Sequence, residues 1–134
     1  MAIIKAKSSK PLSYTNQTVK RAERSLICSP FNLELFATMT SLSVPLKAIA
    51  GKSGLQQGYT KRPLSELVAE SALLWLIQVG LLRREVDGQG ITDSFRLTPL
   101  GRQLLEQHQG SSLPDPSWLD HFYNFLSRWF RLPF

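Results

Sequence analysis

Apolar positions along this chain fall into helical stripes broken by short stretches of glycine and proline. From Thr18, the residues Val19, Ala22 and Leu26 form one stripe, which Pro30 interrupts. Ser29-Pro30 reads as the cap and first residue of a second helix, with Phe31, Leu35, Met39 and Leu42 on its buried face. Val44-Pro45 opens a short third helix over "PLKAIA", and Gly51 closes it. Gly51 to Arg62 is then the longest glycine-bearing loop. Pro63 to Val79 is the strongest helix and stops at Gly80. "LLRREV" and "ITDSFRL", separated by the turn signal "DGQG", predict two antiparallel strands within residues 81–98, joined near Gly88–Gly90. Thr98-Pro99 caps a helix carrying Leu100, Leu104 and Leu105. After the linker "GSSLPDP", Asp115-Pro116 starts a last helix that runs to Phe130. The prediction is a mainly α protein with a small β-hairpin, an α+β fold, in a single domain over residues 1–134. Its parts are a basic arm over 1–15, N-terminal helices over 16–43, a core over 44–109 and an amphipathic C-terminal helix over 115–131.

Two helices raise a packing question. On a wheel turning about 100° per residue, Leu64, Val68, Ser71 and Trp75 make the core stripe of the Pro63–Val79 helix. Glu66, Ala69, Glu70, Leu73 and Ile77 fall on the opposite face. Leu73 and Ile77 need a cover, and the last helix offers one. Trp118, Leu119, Phe122, Tyr123, Phe125, Leu126, Trp129 and Phe130 share one of its sides; Asp120, His121, Asn124, Ser127, Arg128 and Arg131 share the other. Leu73, Ile77, Trp118, Phe122, Phe125 and Trp129 are therefore the expected packing or interaction face, within one chain or between two copies. The polar side carries two arginines against one aspartate, too few cations for a helix lying on a membrane.

Composition narrows the function. A chain of 134 residues with 43% hydrophobic and 19% charged side chains folds rather than stays disordered. The single cysteine, Cys28, excludes an intrachain disulfide and a multi-cysteine zinc site, and reads as a small buried hydrophobe. His108 and His121 are far apart and read as surface side chains, while Glu66 with Glu70 is too little for a metal site. No nucleophile-base pair, metal site or cofactor motif is present, so the expectation is a protein that is not an enzyme and needs no cofactor. "GKS" at Gly51–Ser53 matches the end of a phosphate-binding loop, but Leu46 stands where its first glycine belongs and no apolar strand precedes it. The start of the chain lacks an apolar signal region, and the longest apolar run, Ala72–Ile77, is too short to span a bilayer. A bacterial cytoplasmic location is expected.

The net charge of +6 is unevenly spread. Residues 1–24 hold six cations against Glu23, and residues 25–64 hold four against Glu34. Residues 65–110 hold four arginines against six acids. A basic first half suggests a polyanion partner.

The order helix, loop, helix, "GLL", charged strand, glycine tip, strand, "LTPLG", helix resembles the winged helix-turn-helix superfamily. In particular it looks like bacterial regulators of the MarR and PadR type, over residues 44–109. The likeness is carried by Gly80-Leu81-Leu82-Arg83-Arg84, Asp87-Gly88-Gln89-Gly90 and Phe95-Arg96-Leu97-Thr98-Pro99-Leu100-Gly101. It implies a winged-helix core and a regulatory protein that grips DNA phosphates, without sequence-specific contacts, through the arm, the loop and the wing. Lys52, Tyr59, Lys61, Arg62, Arg84 and Arg96 would make those contacts. The chain departs from that pattern in two places. The helix that would enter the groove carries Glu66 and Glu70 and no lysine or arginine, and Asp93 and Arg96 stand three apart where the MarR type has Asp-x-Arg. The alternative is a winged-helix module that binds protein, itself or another, and not DNA.

Overall fold

Four helices begin on a hydroxyl side chain that accepts a backbone N–H of the first turn. The computed structural model describes residues 14–86, 93–108 and 117–130. Thr15 accepts from Thr18 at 3.1 Å and starts α1 (Asn16–Cys28). Ser65 accepts from Val68 at 3.2 Å and starts α5 (Glu66–Gln78). Thr98 accepts from Gly101 at 3.1 Å, with Pro99 as the first residue of α6 (Pro99–Gln107). For α7 (Trp118–Phe130) the cap is reciprocal: Asp120 N–H donates to Ser117 Oγ at 3.2 Å, and Ser117 N–H donates to the Asp120 carboxylate at 3.0 Å. Each such cap satisfies an otherwise orphaned donor and is worth about 1 kcal/mol.

The remaining elements are α2 (Leu33–Ser41), β1 (Val44–Pro45), α3 (Leu46–Ile49), α4 (Gly51–Gln56), β2 (Leu82–Val86) and β3 (Asp93–Leu97). The chain is thus mainly helical, with a small antiparallel sheet in the order β1-β3-β2. The two antiparallel strands expected within residues 81–98 are present, and their pairing sets Leu82 opposite Leu97 and Arg84 opposite Phe95. The expected tip, Gly88–Gly90, lies outside the described residues, as does Asp115-Pro116. Leu100, Leu104 and Leu105 of α6 are buried as expected.

Three sequence expectations change. Val44-Pro45 does lead into a short helix, with Pro45 as its N-cap, but the pair is also a strand, because Val44 pairs with Phe95 and both side chains enter the core. Beyond it the chain forms two short helices, so Gly51 does not open a loop; with φ +66° it makes the corner into α4. At that corner a Cβ on Gly54 would lie 1.7 Å from the Ile49 carbonyl oxygen, so only glycine lets the two helices meet. Ser29-Pro30 does not cap α2, whose N-cap is Asn32. Phe31 instead bridges Thr60, with Asn32 N–H donating to Tyr59 O at 2.9 Å and Lys61 N–H to Pro30 O at 3.0 Å. That strap fastens residues 58–61 against the end of α1.

The core runs from Leu26 of α1 through Phe36 and Met39 of α2 to Leu73 and Leu76 of α5, then Phe95 and Leu104. Here the helical wheel fails. Leu73, placed outward by the pattern, is fully buried, as is Ala69, and Ile77 packs against the same core. Val68, placed inward, is 48% exposed and Leu67 is 76% exposed. The cause is local: Leu64 precedes the extended cap residue Ser65, so it does not share the helix's phase. Leu73 and Ile77 therefore need no cover from α7.

Candidate interaction surface

Sequence-predicted phosphate contacts sit in separate places. Lys52 is exposed on α4, and Tyr59 is half-buried against the core. Lys61 and Arg62 are exposed beside the end of α1. Arg84 lies on the core-side face of the hairpin, its guanidinium 6.0 Å from the centre of the Phe95 ring. Arg96 donates to Ser41 O at 3.2 Å and stands 3.9 Å from the Glu85 carboxylate. Arg102 donates to Thr40 O at 3.2 Å. Arg96 and Arg102 thus satisfy carbonyls at the C-terminal end of α2, where the helix dipole favours cations. On α5, no lysine or arginine occurs between Glu66 and Gln78.

A different surface is built by α7. Its polar side turns toward the domain: Ser127 is buried, and Asn124 reaches the junction of α1 and α5. There the Trp75 indole N–H donates to Ser25 Oγ at 3.1 Å and to Asn124 Oδ1 at 3.2 Å, and the Ser25 hydroxyl donates to the same Asn124 oxygen at 3.2 Å. A buried indole N–H needs an acceptor, and α7 supplies one. Arg128 donates to Ser71 Oγ at 2.8 Å and stacks over Trp129 at 5.0 Å. Arg24 of α1 lies 5.5 Å from the centre of the Tyr123 ring, and burial lowers its pKa.

The consequence is an aromatic face turned to water. Trp118 is 74% exposed, Phe122 47%, Phe125 49% and Trp129 59%. Trp118, Phe122 and Tyr123 follow one another as tilted ring pairs at centroid distances of 6.4 and 5.8 Å. The face continues onto α5 through a cleft of about 350 Å³ between Leu67, Leu74 and Trp129. The predicted face of Leu73, Ile77, Trp118, Phe122, Phe125 and Trp129 is thus divided, its two α5 members inside and its aromatics outside. In the sequence, the signal for this was the polar side of α7, whose Asn124 matches the needs of Trp75 and Ser25.

A larger cleft of about 680 Å³ opens between α1, the 61–62 segment, α5 and α7, lined by Cys28, Lys61, Arg62, Ser71, His121 and Arg128 among others. Cys28 is half-buried rather than enclosed; burial first, then Asp120, pushes its thiol pKa up to about 11. His108 is not a free surface side chain: its Nε2 lies 3.4 Å from the Glu23 carboxylate. Among the described residues no group of three or more His, Cys, Asp or Glu could hold a metal, and no helix is long and apolar enough to cross a membrane.

Compared with known families, residues 12–128 match the model of the Npun_F0494-like family. The chain belongs to that family. The matched span takes in both the three-stranded sheet and α7 as far as Arg128, so it holds every lining residue of the larger cleft and all but Trp129 of the smaller one. No curated protein and no solved structure matches the chain.

Proposed function

We propose that this chain is a non-enzymatic, winged-helix-like module that works through protein contact, its partner being a second copy of itself, rather than by gripping DNA. The observation that carries this is the exposed apolar surface shared by α5 and α7. At about 200 Å² per aromatic side chain, the exposed fractions of Trp118, Phe122, Phe125 and Trp129 put on the order of 450 Å² of ring surface in water. That is about half of the roughly 800 Å² each partner contributes to a standard interface, before Leu67 and Leu74 are added. The winged-helix likeness is supported by the order α2-β1-α3-α4-α5-β2-β3 with β3 central. In that arrangement α5 is the helix that would meet a DNA groove, and its exposed edge is acidic and apolar.

Sedimentation equilibrium of the full chain tests this. The expected result is a dimer with a Kd on the order of micromolar or tighter. Leu74→Glu combined with Trp118→Glu should weaken it at least about tenfold while leaving the melting temperature unchanged. A chain that stays monomeric at high concentration would remove the second copy as partner. Tight duplex binding that falls steeply with salt would return the nucleic-acid reading.

A further inference from the structure

The larger cleft has a charge pattern that self-association does not use. Lys61, Arg62 and Arg128 line it together with His121, and no carboxylate is among its lining residues. Asp120, close enough to influence Cys28, has its carboxylate engaged by the Ser117 N–H at the start of α7. The floor between the cations is apolar, made by Ile27, Leu67, Val68 and Ala72. Arg128 is held ready by Ser71 and by the Trp129 ring. Burial lowers its pKa, and among the described residues no carboxylate offsets the loss of water.

We infer that this cleft binds an amphipathic monoanion: a carboxylate on an aliphatic body. The carboxylate lies between Lys61, Arg62 and Arg128, and the body covers Leu67, Val68 and Ala72. Each half of the ligand answers one half of the cleft. A guanidinium fork matches a carboxylate's two oxygens, and the apolar wall strengthens that contact by excluding water. A bare inorganic anion would leave the floor uncovered, and an uncharged chain would leave three cations unpaired. The volume falls in the range that takes a drug-sized molecule. Only residues of one chain are used, so the site does not depend on the dimer.

Decanoate, decanol and inorganic phosphate are suitable probes, titrated into the full chain by calorimetry and by NMR of backbone amides. Decanoate should saturate one site at least about tenfold more tightly than decanol, with shifts at residues 61–62 and 71–72, and phosphate should show no saturable binding. Lys61→Gln with Arg62→Gln, both exposed and therefore safe for folding, should lower decanoate affinity at least about tenfold and leave decanol unaffected. Arg128→Lys should retain more affinity than Arg128→Gln. Equal binding of decanol, phosphate binding as tight as decanoate, or an unaltered double variant would each overturn the assignment. Decanoate shifts confined to Trp118 and Phe122 would also overturn it, since they would mark nonspecific contact with the aromatic face.

Discussion

Cys28 shows how a residue's surroundings override its type. The sequence marks it as a small buried hydrophobe, but it is half-buried at the edge of a cleft where a thiol is reachable. Reachability does not make it reactive. Burial and the field of Asp120 both disfavour the thiolate, and they outweigh the opposing pull of Arg24 and Lys61, so the pKa rises from 9.0 to about 11. At pH 8 the alkylation of Cys28 by iodoacetamide should therefore be roughly tenfold to a hundredfold slower than that of the unfolded chain. The stability linkage has a definite sign. The folded thiol holds its proton more tightly than the unfolded one, so the linked stability is complete below pH 9.0 and is lost as pH climbs toward 11. A Cys28→Ser variant should lack that component of the alkaline decline. Alkylation as fast as in the unfolded chain would show that the thiolate is stabilised instead.

Among the elements, periodicity turns α5 the wrong way round, and of the two covers expected for the aromatic side of α7 its own domain is not the one that takes it. Periodicity identifies a stripe only relative to a starting phase, and Leu64, which set that phase, lies before the helix in extended backbone. α5 also buries two adjacent faces, since it packs against α1, α3 and β2, so almost any apolar register fits it. For α7, packing of the aromatic side on its own domain follows only from the rule that the larger apolar side faces inward. That rule ignores what the receiving surface offers, and here it offers Ser25 and the indole N–H of Trp75, which call for Asn124. What depends on local chemistry was legible. The caps at Ser65 and Thr98, the hairpin pairing and the turn at Gly80, where φ is +93°, follow from residue types within a few positions. β1, the 58–61 strap and the cation-lined cleft depend on contacts distant in sequence, and no short window contains them. A pair of substitutions separates the two orientations. Leu73→Ala should cost about 2–5 kcal/mol, because Leu73 lies in the core. Trp118→Ala should stay within about 0.5 kcal/mol. Denaturant unfolding of both variants checks it, and the reverse ranking would restore the aromatic face as the docked one.

At the scale of the whole molecule, the core and the surface for contact are built from different parts of the chain. Every residue of the hydrophobic core cluster lies between Ala22 and Leu105, and α7 contributes none of them. Its attachment includes polar, peripheral contacts: the Asn124 carbonyl shared by Ser25 and Trp75, the Arg128–Ser71 bond, and Tyr123 near Arg24. A helix held this way adds modestly to stability, since each hydrogen bond is worth about 0.5–1.5 kcal/mol net. Deleting residues 114–134 should therefore leave a chain that still unfolds cooperatively, less stable by about 2–4 kcal/mol. Trp75 keeps the Ser25 hydroxyl as acceptor, so the cut leaves no orphaned indole in the core. The same deletion removes the five exposed aromatics Trp118, Phe122, Tyr123, Phe125 and Trp129, and with them most of the apolar surface available to a partner. It should abolish self-association and make the chain more soluble than the intact protein, the reverse of what deleting an enclosed core helix does. Sedimentation and thermal unfolding of the shortened chain decide the matter. A truncated chain that aggregates or loses its cooperative transition would mean that α7 is part of the core after all, and that its aromatic face is turned inward in solution.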